Sequence, residues 1–224
     1  MRYELVIFDW DGTLMDSIAR IVSSMQTAAL DVGWGALDAA AVRNIVGLGL
    51  PEAIAELCPG ITAGQAEALK ERYAWYFVTG NAVTGSEADM RWYPGVEQGL
   101  VQLAATPGMR LAVATGKSRK GLNRAFREHS IEPLFAASRT ADETRSKPNP
   151  QMLEELLVEL EVPVERAVMV GDTEYDMAMA AALGMDGIAV SYGVHSRERL
   201  QACRPVVMAD DFQAVMDALL SRGS

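Results

Sequence analysis

Four apolar runs in this chain end alike, each leading to a short cluster of carboxylates, hydroxyls or an ammonium. Glu4 to Phe8 leads into Asp9-Trp10-Asp11-Gly12-Thr13, and Arg110 to Thr115 leads into Gly116-Lys117. Leu134 to Ser138 precedes Ser146-Lys147-Pro148, and Ala167 to Val170 leads into Gly171-Asp172-Thr173 with Asp176 one turn on. Short apolar runs bounded by polar and turn residues read as buried strands. Between them the pattern is helical, at Ser118 to Glu128, about Pro150 to Leu160 and Glu174 to Leu183, with a strand at Gly187 to Ser191 and a last helix after Asp211. Strands alternating with helices imply right-handed crossovers and an α/β fold whose parallel sheet is covered on both faces. All strands of such a sheet end on one edge, where ligands bind, so the four clusters are expected to converge there.

The first strand and the rest are separated by a different kind of sequence. From Asp16 to about Met90 apolar residues recur at three and four positions, as in Ile18, Ile21, Val22 and Met25 and again in Ala66, Leu69, Tyr73 and Phe77, and nothing there reads as a long strand. Residues 1–15 and 92–224 therefore read as one α/β core, and 16–91 as a helical domain inserted after the first strand. The insert emerges at the strand-end edge and is placed to cover it.

Charge and composition narrow the chemistry. The chain has 224 residues with 20 Lys plus Arg against 30 Asp plus Glu, a formal charge of −10, which argues against nucleic-acid or anionic-membrane partners. No apolar run approaches the roughly 18–20 residues needed to span a bilayer. The Met1 to Gly12 segment is too brief in apolar residues and too acidic for a signal-peptide core, so a cytoplasmic location is expected. Cys58 and Cys203 form no CxxC, and His129 and His195 are the only histidines, so neither a disulfide framework nor a Cys- or His-based metal cluster is indicated. The basic excess falls on Lys117, Arg119, Lys120, Arg124 and Arg127, mostly a solvated helix face, of which Lys117 lies nearest a strand end.

Asp9, Asp11, Asp172 and Asp176 near one point would repel one another unless a cation sat among them. Oxygen-only ligands select a hard ion, and Mg²⁺ suits them because it takes a few carboxylates and leaves room for a phosphate oxygen. Asp9, first off its strand, is placed to attack phosphorus, and Asp11, past the turn, to protonate the leaving oxygen and later activate water. Thr115 and Lys147 supply donors and positive charge to the phosphoryl oxygens. Blander readings exist for single pieces: Asp172-Thr173 also fits a helix N-cap, Asp176 a helix-dipole partner, and Lys147 a loop residue. Two acids beside a buried strand carry a desolvation cost with no structural return, so Asp9 and Asp11 resist such a reading.

These residues resemble the signatures of the haloacid dehalogenase superfamily. Phe8-Asp9-Trp10-Asp11-Gly12-Thr13-Leu14 with Asp16-Ser17 looks like the first, Thr115 the second, Lys147 in Ser-Lys-Pro the third, and Gly171-Asp172-Thr173-Glu174-Tyr175-Asp176 the fourth. The resemblance extends over essentially the whole chain and is strongest to the phosphoglycolate phosphatase group. It implies a Rossmann-like core with an α-helical cap, Mg²⁺ dependence and an aspartyl-phosphate on Asp9. It further implies that Mg²⁺ is held by the Asp9 side chain, the Asp11 backbone carbonyl and Asp172, with Asp176 in support. One position departs: Gly116 stands where that group often has Asn, so only its backbone amide remains to bind phosphate.

Asp11 argues against dehalogenation, whose leaving halide needs no proton. Lys70, the only lysine between Asp16 and Met90, sits in a helical run and makes a poor Schiff-base residue, against a phosphonatase. A sugar-phosphate mutase would use the same motifs. A phosphorylated signalling receiver would be near half this length, with its Asp mid-chain. The expected function is hydrolysis of a small phosphorylated metabolite, with Arg43 and Gly47-Leu48-Gly49-Leu50 of the insert as candidate contacts to the rest of the substrate.

Overall fold

A computed structural model describes residues 3–79 and 90–221. Leu5–Phe8 (β1) is the centre of a six-stranded sheet with Arg110–Thr115 (β4), Phe135–Thr140 (β5), Ala167–Gly171 (β6), Asp186–Val190 (β7) and Val207–Ala209 (β8), ordered β5-β4-β1-β6-β7-β8. Every pairing in it is parallel: Leu5 pairs with Arg110 on one side and Ala167 on the other, and Phe8 with Val113 and Val170.

Alternation along β1 explains its unbroken apolar sequence. Val6 and Phe8 join Val113, Val170, Ile188 and Val190 under Val96–Ala104 (α5), Arg119–His129 (α6) and Phe212–Leu220 (α10). Leu5 and Ile7 face the other way, onto Met152, Leu153 and Leu156 of Gln151–Glu159 (α7) and Met179 and Ala180 of Glu174–Ala182 (α8). All four β1 side chains are fully buried, each contributing about 1.5–3 kcal/mol of transfer free energy.

A separate apolar cluster holds the helical region together. Ile18, Ile21, Val22, Met25, Ala28 and Ala29 of Ile18–Asp31 (α1) pack with Val42 of Ala39–Asn44 (α2), Ile54 of Leu50–Leu57 (α3) and Leu69, Tyr76 and Phe77 of Ala63–Thr79 (α4). The helical reading through Met90 reaches residues 80–89, which lie outside the described residues. Both chain connections to this region run side by side: Met15–Asp16 (β2) pairs antiparallel with Arg91–Trp92 (β3), and Tyr93 N–H bonds Leu14 O at 3.1 Å. Neither this ribbon nor β8 nor the helix Arg197–Ala202 (α9) is evident in the sequence pattern. Among the described residues no helix is long and apolar enough to cross a membrane.

Candidate functional site

The parallel sheet brings the four strand-end clusters together. Asp9 follows β1 directly, its N–H bonded to Val170 O at 2.9 Å, and its side chain is almost wholly buried. Lys147, from the loop after β5, reaches beneath it: Nζ donates to Asp176 Oδ1 at 2.6 Å and stands 2.9 Å from Asp9 Oδ1. The second contact is an ion pair to Oδ1, and Asp9 Oδ2 has no side-chain partner among the described residues, so Asp9 is the least tied of the buried acids here.

The neighbouring carboxylates are by contrast fully held. Asp172 accepts from Thr13 Oγ1 and from Val194 N–H, each at 2.8 Å. Asp176 accepts on Oδ2 from Thr173 Oγ1 at 2.6 Å and Thr173 N–H at 3.1 Å. The capping interpretation therefore holds for Thr173 and Asp176, which form a capping box at the start of α8, while Asp176 also faces Lys147. Asp172 is not the cap. It is wedged between Gly12 and Gly193, where a β-carbon would come within 2.2 Å of its side chain; Gly12 also turns at φ +85°.

Three carboxylates cluster here with one ammonium, which contacts only Asp9 and Asp176, and their electrostatics reflect the imbalance. Burial pushes Asp9 up to about 7, with Lys147 pulling it down and Asp176 pushing it up. Asp172 is raised well above the usual carboxylate range by burial, then by Asp9 and Asp176. Burial works against the Lys147 ammonium, but Asp176 and Asp9 more than offset it, so its proton is held more tightly than in free lysine.

One oxygen from each of Asp9, Asp172 and Asp176 lies within 4.8 Å of the others, all three residues buried. An all-oxygen set of three clustered carboxylates in contact with one ammonium fits a hard divalent cation. The Asp11 carboxylate does not join this group, contrary to the expectation of four acids at one point. It turns toward the helical region, where Lys117 Nζ bonds its two oxygens at 3.0 and 2.9 Å and Ser17 Oγ bonds Oδ1 at 2.5 Å. Lys117 itself lies 4.8 Å from the centre of the Phe77 ring of α4, a cation-π contact.

Thr115 ends β4 fully buried, its Oγ1 accepting from Lys117 N–H at 3.2 Å, which leaves the hydroxyl proton for another acceptor. The departure at Gly116 has a steric cause. A β-carbon there would stand 2.6 Å from both Gly47 O and Leu48 O, so the loop after α2 descends onto the strand end only because this position has no side chain. The same loop is tied down where Gly49 N–H bonds Ser146 Oγ at 2.7 Å.

Arg43 does not reach these groups: it is exposed, and among the described residues none forms a hydrogen bond or ion pair with its side chain. Its neighbour Asn44 faces the core instead, bonded through its carbonyl to Tyr175 Oη at 3.0 Å and through its side chain to Arg199. His195, almost fully buried, also faces that carbonyl, and burial lowers its proton affinity. Asn44, His195 and Arg199 belong to no motif and Tyr175 enters only as a spacer within the fourth; only the rarity of histidine in this chain marked His195 out.

Comparison with known proteins agrees with this geometry. The family model described as Haloacid dehalogenase-like hydrolase matches residues 6–190. Similar proteins include the probable phosphatase IndB of Dickeya dadantii, 33% identical over 216 residues that make up 96% of this chain and 92% of that protein. Another, a phosphoglycolate phosphatase of Vibrio cholerae, is 30% identical across 97% of each chain. The fold matches the crystal structure of a predicted phosphoglycolate phosphatase from Haemophilus somnus with a TM-score of 0.83, at 24% identity over 98% of this chain and 99% of that one. A match running from the first strand through β7, across every strand end that carries one of the clustered polar groups, makes this chain a member of the haloacid dehalogenase-like hydrolase family.

Proposed function

We propose that the chain is a phosphatase that hydrolyses a small phosphate monoester through an aspartyl-phosphate on Asp9, the family relatives named as phosphatases supporting this choice. The observation that carries it is the Asp9 carboxylate at the end of the first strand, buried beside Lys147 and clustered with two further carboxylates. An Asp9 oxygen forms a bond to phosphorus as the ester P–O bond breaks, and Asp11 gives its proton to the departing alkoxide. Asp11 then takes a proton from water as the water oxygen bonds to phosphorus, which releases inorganic phosphate and restores Asp9.

Thr115 Oγ1 and the Gly116 N–H are assigned to the phosphoryl oxygens, with Lys147 countering their charge. Asp9, Asp172 and the Asp11 carbonyl, with Asp176 behind them, are assigned to Mg²⁺, which when bound supplies a Lewis acid for a phosphoryl oxygen. In this reading residues 16–91 form a cap over a core made of 1–15 and 92–224, and Lys117 takes the place at the substrate side that Arg43 does not fill. The free thiols of Cys58 and Cys203 go with a cytoplasmic location.

A panel of phosphate esters assayed with Mg²⁺, with EDTA and with Asp9→Asn tests the proposal. Turnover is expected only with the metal and to fall at least about a thousandfold in the variant. Activity that survives both treatments sinks it, and turnover that needs a bisphosphate activator assigns the chain to the mutases instead.

A further inference from the structure

The C-terminal end of α2 leaves carbonyls without intrahelical partners, and the core supplies donors for one of them. Asn44 O accepts from Tyr175 Oη at 3.0 Å and faces His195 Nε2 at 3.3 Å. His195 Nδ1 accepts from Glu174 N–H at 3.0 Å, which leaves the ring proton on Nε2, directed at Asn44. Arg199 completes the contact, bonding Asn44 Oδ1 and clamping both carboxylate oxygens of Glu174 at 2.5 and 3.2 Å.

The same stretch of chain grips the metal-site acid. Val194 N–H bonds Asp172 Oδ2 at 2.8 Å, His195 N–H points to Asp172 O at 3.4 Å, and Gly193 packs directly on the Asp172 side chain. Residues 193–195 thus hold Asp172 with their backbone and reach Asn44 with a side chain. The His195 ring at Asn44 and the two N–H groups at Asp172 belong to one continuous stretch of three residues.

We infer that His195 is a positioning residue that ties Asn44 of the helical region to Asp172, so that cation affinity and docking of the α2 end onto the core are coupled. The inference rests on Mg²⁺ binding at this site as proposed above. Coupling is reciprocal: docking sharpens the cation site, and the cation holds the docked state. A histidine that merely filled space would need only its ring, whereas this role needs an acceptor and a donor on opposite sides of one planar group. Glutamine offers both at nearly the same spacing, and phenylalanine offers neither.

Calorimetric titration of Mg²⁺ into the unaltered chain, His195→Phe, His195→Gln and Tyr175→Phe, without substrate, reads the coupling. His195→Phe is expected to weaken binding about tenfold, Tyr175→Phe about threefold, and His195→Gln less than twofold. Hydrogen exchange of residues 39–48 is expected to slow on adding Mg²⁺ in the unaltered chain and His195→Gln, but not in His195→Phe. Unchanged affinity in a folded His195→Phe, equal weakening by Phe and Gln, or an Mg²⁺-induced slowing retained in His195→Phe each overturns the inference. If His195→Phe does not fold, Tyr175→Phe decides, and unchanged affinity there overturns it. An unaltered chain that binds no Mg²⁺ removes the metal site of the proposed function, and this coupling with it.

Discussion

At the Asp9 end of the Asp9-Trp10-Asp11 sequence, three buried carboxylates cluster with one ammonium, that of Lys147, which contacts two of them, Asp9 and Asp176. At the Asp11 end, one carboxylate meets the single ammonium of Lys117, and both side chains retain some contact with solvent, 13% and 9% exposed. The first arrangement is short of positive charge and lies wholly within the core, whereas the second is balanced and spans the core and the helical region through Phe77. The first has a charge balance that an added cation would complete; the second is already balanced, with Asp11 held by Lys117 and Ser17. Two acids separated by one residue can thus serve opposite purposes because a strand end holds the first and a turn sends the second outward.

The hardest blow to this contrast is removal of each lysine in turn. Lys147→Met leaves three buried carboxylates without a counter-charge and is expected to cost about 3–5 kcal/mol in urea unfolding without metal, part of it recovered by Mg²⁺. Equal costs for Lys147→Met and Lys117→Met would break the comparison. Next in expected size is Gly116→Ala, which places a methyl against the Gly47 and Leu48 carbonyls, at about 1–3 kcal/mol of overpacking. Its signature is a raised KM with a smaller change in kcat; an unaffected KM would show that this loop does not bear on substrate.

A subtler difference appears with pH. Because burial pushes Asp9 up to about 7, the folded chain holds that proton more tightly than the unfolded chain does. Ionising Asp9 therefore destabilises the metal-free fold, an effect absent below the ordinary carboxylate range and complete above about 7. Mg²⁺ takes the place of the proton, so its rise in Tm is expected to be larger at pH 8 than at pH 5; the opposite order would contradict the assigned sign. The smallest expected effect is Lys117→Met, at about 1–2 kcal/mol of stability and unchanged Mg²⁺ affinity by calorimetry, since the Asp11 carboxylate it bonds lies outside the cation group and the assigned Asp11 carbonyl is not its partner.

Much of this was legible because local pattern and topology agree. Arg110 to Thr115 is a strand to the residue, being apolar between two polar boundaries, and parallel pairing carries Asp9, Thr115, Lys147 and Asp172 to one edge. What escaped depends on contacts remote in sequence. Val207–Ala209 is too short to register as a run and exists because β7 pairs with it. Asp11 looked like a fourth member of the acid cluster until Lys117 and Ser17 drew it aside. Gly116 read as the loss of a side-chain contact, and its reason is the pair of carbonyls above it. Asn44 is joined to the core largely through its own backbone carbonyl, a group every residue possesses, so no residue type signals it.

The central position of β1 has a consequence for how the chain reaches this state. Leu5 finds its two neighbours only at Arg110 and Ala167, so the strand that presents Asp9 belongs to the most non-local pairings in the molecule. The helices packed on α1 are close to it in sequence and can associate while the segments that flank β1 are still to be made. During synthesis, then, four of the most apolar residues wait unpaired beside Asp9 while the later strands emerge. An early apolar segment of this kind is where a chaperone would engage the nascent chain, and where premature association between copies would begin.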